Sequence, residues 1–493
     1  MTLQGKVARG LFWEGFAAIA ARGISFLAML ILARVLIPSH FGLVSLAMLA
    51  IESLQFFQEL GFGSALIYRQ SEVEDAADSA FYILIASNLL LYIVAVWAAP
   101  AVATFFRTPA VTPVLRVLAL TMVINAVGRV PITLLSKELD FRRKIVPEIV
   151  AGIGGNVLAV VLAWQGWGVW SLVWGQMLDA CLRNGVVWLV CPWRPRWRFN
   201  PRIGRELFNY GKHIVGSQLL IFGITNIDDA FVGRMLGSGP LGHYGLAYKV
   251  SNLPATNITR LVTRVTFPAF SQLQNETNRL RSAYFRVVHY VSLLAFPVAV
   301  ATVIFAADFV RTVIGNKWAP AIVPIQLLGI YGLLRSVAAN MGPMFQAGGK
   351  PQWLFYIALW RLITMAVLLY PAIRWQGIVG VSALSAVVSI VDFLISAALV
   401  NRIIQAKMMD HAHLLLPIFA LSLVAGLVGK AAQSGLVMIG LRPLFAMLGG
   451  GGVMVVAYAA LTWWRDAELR QQAGVAWRSL AARRLVPRLE RSR

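Results

Sequence analysis

Residues 80 to 100 read Ala80-Phe81-Tyr82-Ile83-Leu84-Ile85-Ala86-Ser87-Asn88-Leu89-Leu90-Leu91-Tyr92-Ile93-Val94-Ala95-Val96-Trp97-Ala98-Ala99-Pro100, twenty-one positions without one charged side chain. A helix rises about 1.5 Å per residue, so a run of this length crosses the roughly 30 Å hydrocarbon core of a bilayer. The run is continuous rather than alternating and about twice the length of a tilted membrane strand, which argues against a β-barrel. Similar runs recur along the chain. They predict spans near 11–33, 41–62, 80–100, 114–135, 146–164, 167–190, 211–232, 243–270, 286–307, 322–342, 353–371, 377–400, 413–431 and 443–464. The expected fold class is all-α integral membrane, with about 14 transmembrane helices.

Composition agrees. The 493 residues are 58% hydrophobic and 13% charged, and the mean hydropathy is +0.70. A water-soluble domain has no interior large enough for that apolar surface. The net charge of +23 raises the question of nucleic acid, which the placement of the charges answers. With the N-terminus cytoplasmic, one side holds about 27 basic residues, among them Lys6, Arg9, Lys137, Arg142, Arg143, Lys144, Arg194, Arg196, Arg198 and the Arg-rich tail. The other side holds about eight: Arg34, Arg107, Arg234, Arg311, Lys317, Arg374, Lys430 and Arg442. This positive-inside bias, together with an even number of spans, predicts an inner-membrane protein with both termini in the cytoplasm. The first apolar stretch ends at Leu32-Ala33-Arg34 without a small-residue cleavage site, so it is expected to be retained as a helix. Cys181 and Cys191 are the only cysteines. They support neither a disulfide framework nor a metal site and read as packing residues.

The stretch Pro192-Trp193-Arg194-Pro195-Arg196-Trp197-Arg198-Phe199-Asn200-Pro201 is too rich in proline to continue a helix and reads as a linker. Sequence on either side of it repeats. Leu32-Ala33-Arg34-Val35-Leu36 precedes Phe41-Gly42-Leu43, and Val232-Gly233-Arg234-Met235-Leu236 precedes Tyr244-Gly245-Leu246. The arginines are 200 positions apart, with three extra residues before the second aromatic-glycine pair. Six spans before the linker make the repeat parallel, related by an axis along the membrane normal. The expected organisation is a six-helix lobe over 1–192, a basic cytoplasmic linker over 193–210 and a second six-helix lobe over 211–402. Two further helices follow over 403–464, then a basic tail over 465–493. The tail mixes Trp477 and Leu480 with arginines at helical spacing, which suits the anionic cytoplasmic leaflet and offers a surface for a polymer-assembly partner.

No metal-ligand cluster, phosphate loop or nucleophile elbow is legible, so no cofactor, metal or enzyme activity is expected. His213, His243 and His289 read as surface or cavity-lining residues. The informative residues are ionisable groups inside spans, which are tolerated mainly where they face protein or water. Arg22, Arg335 and Arg361 lie deepest and, with Arg129 and Lys249, are candidates for a cationic cavity that receives an anionic substrate. Asp228, Asp229, Glu52 and Glu59 are the acidic candidates, as ion-coupling or structural groups, with Asp228 and Asp229 expected either to take up a proton or sodium ion or to hold an arginine of the other lobe. Asp179 and Arg183 are spaced i,i+4 and are expected to neutralise each other. Pro131, Pro268, Pro297, Pro343 and Pro371 fall in or near spans, as hinges or as static bends.

At Leu32-Ala33-Arg34-x-Leu36-x-Pro38-x-x-Phe41-Gly42-Leu43 and Glu59-Leu60-Gly61-Phe62-Gly63 the chain resembles the Wzx-type polysaccharide transporters, lipid-linked oligosaccharide flippases of the multidrug/oligosaccharidyl-lipid/polysaccharide exporter superfamily. Asn226-x-Asp228, Gly233-Arg234-x-Leu236-Gly237 and Leu241-Gly242-x-Tyr244-Gly245 extend the match. The motif positions are Arg34, Pro38, Gly42, Gly61, Arg234, Gly237 and Gly242. The resemblance implies passage of an undecaprenyl-diphosphate-linked oligosaccharide to the periplasmic leaflet for O-antigen, capsule or exopolysaccharide assembly. It further implies alternating access through a cationic cavity and a partnership with polymerase or chain-length proteins. A cation-coupled multidrug exporter and a peptidoglycan-precursor flippase of the same superfamily are the alternatives; basic cavity candidates weigh against the first, because exported drugs are usually cationic.

Overall fold

A computed structural model describes residues 23–59, 62–63, 66, 69, 72–138, 140–196, 198–252, 266–465 and 470; the side chains at 55–59, 141–142 and 207–221 fall outside the description. Every regular element among the described residues is helical. Apart from three short helical segments, Ala306–Phe309, Val310–Ile314 and Asn316–Ala321, they are in chain order α1 (Gly23–Val35), α2 (Pro38–Glu59), α3 (Val73–Phe105), α4 (Val111–Lys137), α5 (Phe141–Trp164), α6 (Val169–Val190), α7 (Pro201–Leu236) and α8 (Ser238–Ser251). Then come α9 (Thr277–Ile304), α10 (Ile322–Ala338), α11 (Met341–Ala347), α12 (Gln352–Ile404), α13 (Met408–Met438) and α14 (Pro443–Arg465). Eight stretches among the described residues are long and apolar enough to cross a membrane, and α1 and the first part of α2 are shorter apolar helices. The chain is an all-helical, multi-pass membrane protein.

Helix α12 has 53 residues, about 80 Å at the α-helical rise and far longer than a bilayer is thick. It is not one straight helix: Gln376 and Gly377 leave helical geometry, and Gly377 has φ 55° with ψ −130°, a conformation that needs a residue without Cβ. The break falls at the start of the span predicted at 377–400, just after the gap that separates it from 353–371. Pro371 sits inside the same helix just before it, while Pro131 and Pro297 lie within α4 and α9 without a comparable break. The span predicted over 243–270 is described only in part, because 253–265 lie outside the description.

Two compact units organise the chain. The first draws on Met1–Tyr248, Val313–Pro324 and Ala358–Val388, the second on Lys249–Thr312, Ile325–Ile357 and Ser389–Arg493. In the first, α5 packs along α6, α3 along α4, and α2 touches α3, α4 and α7. A Cβ on Gly155 would stand 2.7 Å from the Gly175 carbonyl oxygen, and one on Gly175 would stand 2.6 Å from Ala159 Cβ, so the α5–α6 contact depends on small residues, the usual basis of helix association in lipid. The second unit repeats the device where α13 meets α14: a Cβ on Gly429 or Gly450 would come within 2.6 Å of the other's carbonyl oxygen. Leu189, Val455 and Val456 point outward at 82%, 68% and 70% exposure, which is favourable when hydrocarbon covers them.

The linker is shorter than predicted and firmly held. Asn200 caps α7, its side chain accepting from the backbone N–H of Arg202 (3.1 Å) and Ile203 (3.4 Å), and Pro201 occupies the first turn, where its missing N–H costs nothing. Positions 201–210 are therefore helical. Upstream, the Arg196 N–H donates to Asp78 Oδ1 (3.2 Å), the Asn200 N–H to Ser79 Oγ (3.1 Å) and the Tyr82 hydroxyl to the Arg196 carbonyl (3.0 Å). Trp193 packs with Phe81 and Trp188.

Candidate functional site

The two motif segments fold into two helical elbows, and the first unit brings them together. Helix α1 ends at Ala33-Arg34-Val35, leaving carbonyl groups without intrahelical donors. Trp318 Nε1 donates to the Ala33 carbonyl and Lys317 Nζ to the Arg34 carbonyl, both at 2.8 Å. An ammonium at a helix C-terminus also meets the negative end of its dipole. Trp318 is wholly buried, edge-on to Phe41 of the first elbow (5.4 Å between centroids) and to His243 of the second (5.6 Å). A His243 ring nitrogen lies 3.0 Å from the Lys317 carbonyl oxygen. The segment 315–318 thus joins both elbows, a role no motif in the sequence announces.

The elbows also touch each other, reciprocally. A Cβ on Gly42 would fall 1.7 Å from the Ser238 carbonyl oxygen, and a Cβ on Gly242 would fall 1.9 Å from the Pro38 carbonyl oxygen. Position 42 meets 238 and position 242 meets 38, the pattern expected of two like segments crossing about a local two-fold axis. The register of this crossing is the ungapped offset of 200, so Gly42 is matched by Gly242 rather than by Gly245. Gly237, between α7 and α8, has φ 86° with ψ −174°, a conformation open to a residue without Cβ, and donates its N–H to the Gly233 carbonyl (3.2 Å), which permits the sharp elbow.

Below the second elbow, Asp228 is buried at 8% exposure and its Oδ2 accepts from the Tyr244 hydroxyl at 2.5 Å, tying α7 to α8. Asp228 Oδ1 also accepts from the Asp229 N–H (3.1 Å). The carboxylate therefore holds a motif tyrosine, and Asp229 itself is half-buried. Arg234 lies half-buried one turn before the elbow, its guanidinium 5.2 Å from the centre of the Phe105 ring. An apolar trough of about 520 Å³ runs beside these groups, lined by Ala50 and Ser53 of α2, Ala101 and Phe105 of α3, and Gly223 and Ala230 of α7.

The remaining candidates are distributed between the units. Arg129, half-buried in α4, Glu52, half-buried in α2, and Arg361 in α12 belong to the first unit. Arg335 and Lys249 belong to the second, where Arg335 donates to the Tyr331 hydroxyl and lies 5.6 Å from that ring's centre, and Lys249 is exposed. Arg22 and Gly61 lie outside the described residues, as does the Glu59 side chain. Arg183 donates to Asp179 at 2.7 Å, so this pair does neutralise itself. Sequence reading passed over several polar contacts: Asp78 under the linker, and in the second unit Asp308 with Lys430, Arg281 with Asp410 (2.7 Å) and Tyr284 with His411 (3.2 Å). Each joins residues far apart in the chain, which periodicity does not reveal.

At the opposite end of the first unit, Glu206 accepts from Arg69 (2.9 Å) and Arg202 (3.1 Å), and these hydrogen bonds hold its carboxyl below the ordinary glutamate range.

Comparison with known proteins agrees with the motifs. The polysaccharide biosynthesis protein family matches residues 31–323, more than half of the chain and inclusive of both elbows. The teichuronic acid biosynthesis protein TuaB of Bacillus subtilis is 26% identical over 76% of this chain and 78% of its own length. The succinoglycan biosynthesis transport protein ExoT of Rhizobium meliloti is 26% identical over 74% of each chain. Among solved structures, the lipid II flippase MurJ in an inward closed conformation superposes with a TM-score of 0.72 at 12% identity, covering 92% of this chain and 99% of that one, which fixes the fold. With two crossed motif elbows on an all-helical, multi-pass fold and a family match spanning both, this chain belongs to the polysaccharide biosynthesis protein family.

Proposed function

We propose that this protein flips an undecaprenyl-diphosphate-linked oligosaccharide repeat unit from the cytoplasmic to the periplasmic leaflet, for O-antigen, capsule or exopolysaccharide assembly. The observation that carries the reading is the family match over residues 31–323 on a multi-pass helical fold. A relative named for succinoglycan transport and another named for teichuronic acid biosynthesis point to the same class of cargo. The chain acts as a transporter rather than a catalyst: two six-helix lobes, 1–192 and 211–402, alternate access about a pseudo-two-fold axis, which the reciprocal contact of Gly42 and Gly242 supports. Both termini face the cytoplasm of a bacterial inner membrane, as the distribution of Lys and Arg favours. Arg22, Arg129, Lys249, Arg335 and Arg361 supply the positive field for the diphosphate, while the lipid chain stays in hydrocarbon.

The test is the sidedness of the lipid-linked oligosaccharide in inner-membrane vesicles from cells with and without this protein, read with a membrane-impermeant glycosidase. The cytoplasmic pool rises when the protein is missing if it flips; an unchanged distribution refutes the reading.

A further inference from the structure

The trough between α2, α3 and α7 is mostly apolar, and a cation stands beside it, the Arg234 guanidinium lying 5.2 Å from the ring centre of the lining residue Phe105. On α7, Gly223, Ile227, Ala230 and Arg234 follow at three- and four-residue steps and so share one face. The first three line the trough, and Arg234 continues the same stripe. On α3 the stripe of Ala98, Ala101 and Phe105 ends likewise, with Phe105 beneath the guanidinium. The two polar side chains in the lining are engaged with their own helices: Ser53 Oγ donates to the Ala50 carbonyl (2.7 Å) and Asn226 Nδ2 to the Phe222 carbonyl (3.3 Å). Ala101 and Phe105 are exposed, so the trough opens sideways.

In a bilayer such a trough fills with hydrocarbon, because its walls offer water no partners. The cation needs a different explanation. Among the described residues no carboxylate pairs with Arg234, and a guanidinium beside an apolar trough is complementary to an amphiphile with an anionic head. A trough of about 520 Å³ with Arg234 beside it has room for part of one lipid chain and offers one cation to an anionic head. We propose that the trough binds the chain of a polyisoprenoid phosphate carrier, with its phosphate at Arg234. This rests on the lipid-linked substrate proposed above and adds to it a docking position for the carrier. On the proposed topology Arg234 lies toward the periplasmic face, so the site holds the carrier on the outer leaflet's side.

The test uses the full-length protein in nanodiscs of phosphatidylethanolamine and phosphatidylglycerol, a polyisoprenyl phosphate with a diazirine in its chain, and mass-spectrometric mapping of the crosslinked peptides. The carrier should label peptides of α2, α3 and α7. Labelling should fall about tenfold in Arg234→Gln, the usual worth of one charge-assisted contact, and recover in Arg234→Lys. Ala101→Trp, which fills the trough from an exposed position and leaves the core alone, should lower it similarly. Label landing elsewhere overturns the site. So does equal labelling of the same peptides by a photoreactive phosphatidylglycerol, which would make the trough an ordinary lipid contact. The glycosidase assay on the same proteins separates the two readings: wild-type protein that labels at the trough but does not flip sinks the transport function and leaves the site standing, whereas flipping without labelling sinks the site alone.

Discussion

Gly42→Ala and Gly242→Ala test the elbow crossing most sharply. Each adds one methyl group, yet the new Cβ would stand 1.7 Å from the Ser238 carbonyl oxygen or 1.9 Å from that of Pro38, where real Cβ atoms essentially never come within 3.0 Å. The obstacle is backbone in both cases, so no side chain can swing away and the helices must separate by more than 1 Å. A gap of ~0.5 to 1 Å already forfeits a quarter to a half of each dispersion contact along the seam. Overpacking of this kind costs about 1 to 3 kcal/mol, and the upper end applies where backbone must move. Because one separation of α2 from α8 relieves both clashes, the double variant should cost much less than the two singles together, with a coupling of about 1 to 3 kcal/mol. Reversible unfolding in mixed detergent micelles measures this cycle. Single variants within about 0.5 kcal/mol of wild type, or strictly additive losses, would refute the crossing.

Three further outcomes follow from the contacts described. Trp318→Phe keeps the ring packing but strands the buried Ala33 carbonyl, and should lower stability by about 1 to 3 kcal/mol in the same assay; no change would mean the indole N–H holds nothing. Tyr244→Phe should cost a similar amount, since it leaves the buried Asp228 carboxylate short of a donor, whereas Asp228→Asn retains an acceptor and should preserve folding and transport. Transport lost in Asp228→Asn at unchanged stability would instead make Asp228 an ion-coupling group. Glu206 has a folded pKa below its unfolded value of about 4.5, so its contribution is present above that pH and is lost as the pH falls through the lower folded value. Glu206→Gln should flatten the acid limb of a stability profile below about pH 4.5; an acid limb identical to wild type would count against the Arg69–Glu206–Arg202 cluster.

The membrane class was legible from runs such as 80–100, because lipid imposes one length and one polarity on every crossing helix. The break in α12 was legible too, since Arg374-Trp375-Gln376 parts the apolar runs predicted at 353–371 and 377–400. The ends of helices were not: α3 and α7 extend well beyond their apolar cores, because water-facing turns continue a helix without a hydropathy signal, and Asn200-Pro201 is a helix start that reads as a proline-rich linker. The motif residues Arg34, Gly42 and Arg234 were found by local repetition and Gly242 by the family motif, but the contact of Gly42 with the segment of Gly242 was not, because a three-residue insertion hides the register that the close approach selects. Trp318 escaped notice for a related reason: it acts on a segment 285 residues earlier, and nothing in Gly315-Asn316-Lys317-Trp318 reveals that.

The most direct measurement places purified protein in liposomes that carry polyisoprenyl-diphosphate-linked oligosaccharide and follows how fast the inner-leaflet pool becomes accessible to an external glycosidase. A flippase makes that pool accessible faster than protein-free or heat-inactivated liposomes do, at a rate that rises with protein per vesicle; equal rates in all three would contradict the proposed function.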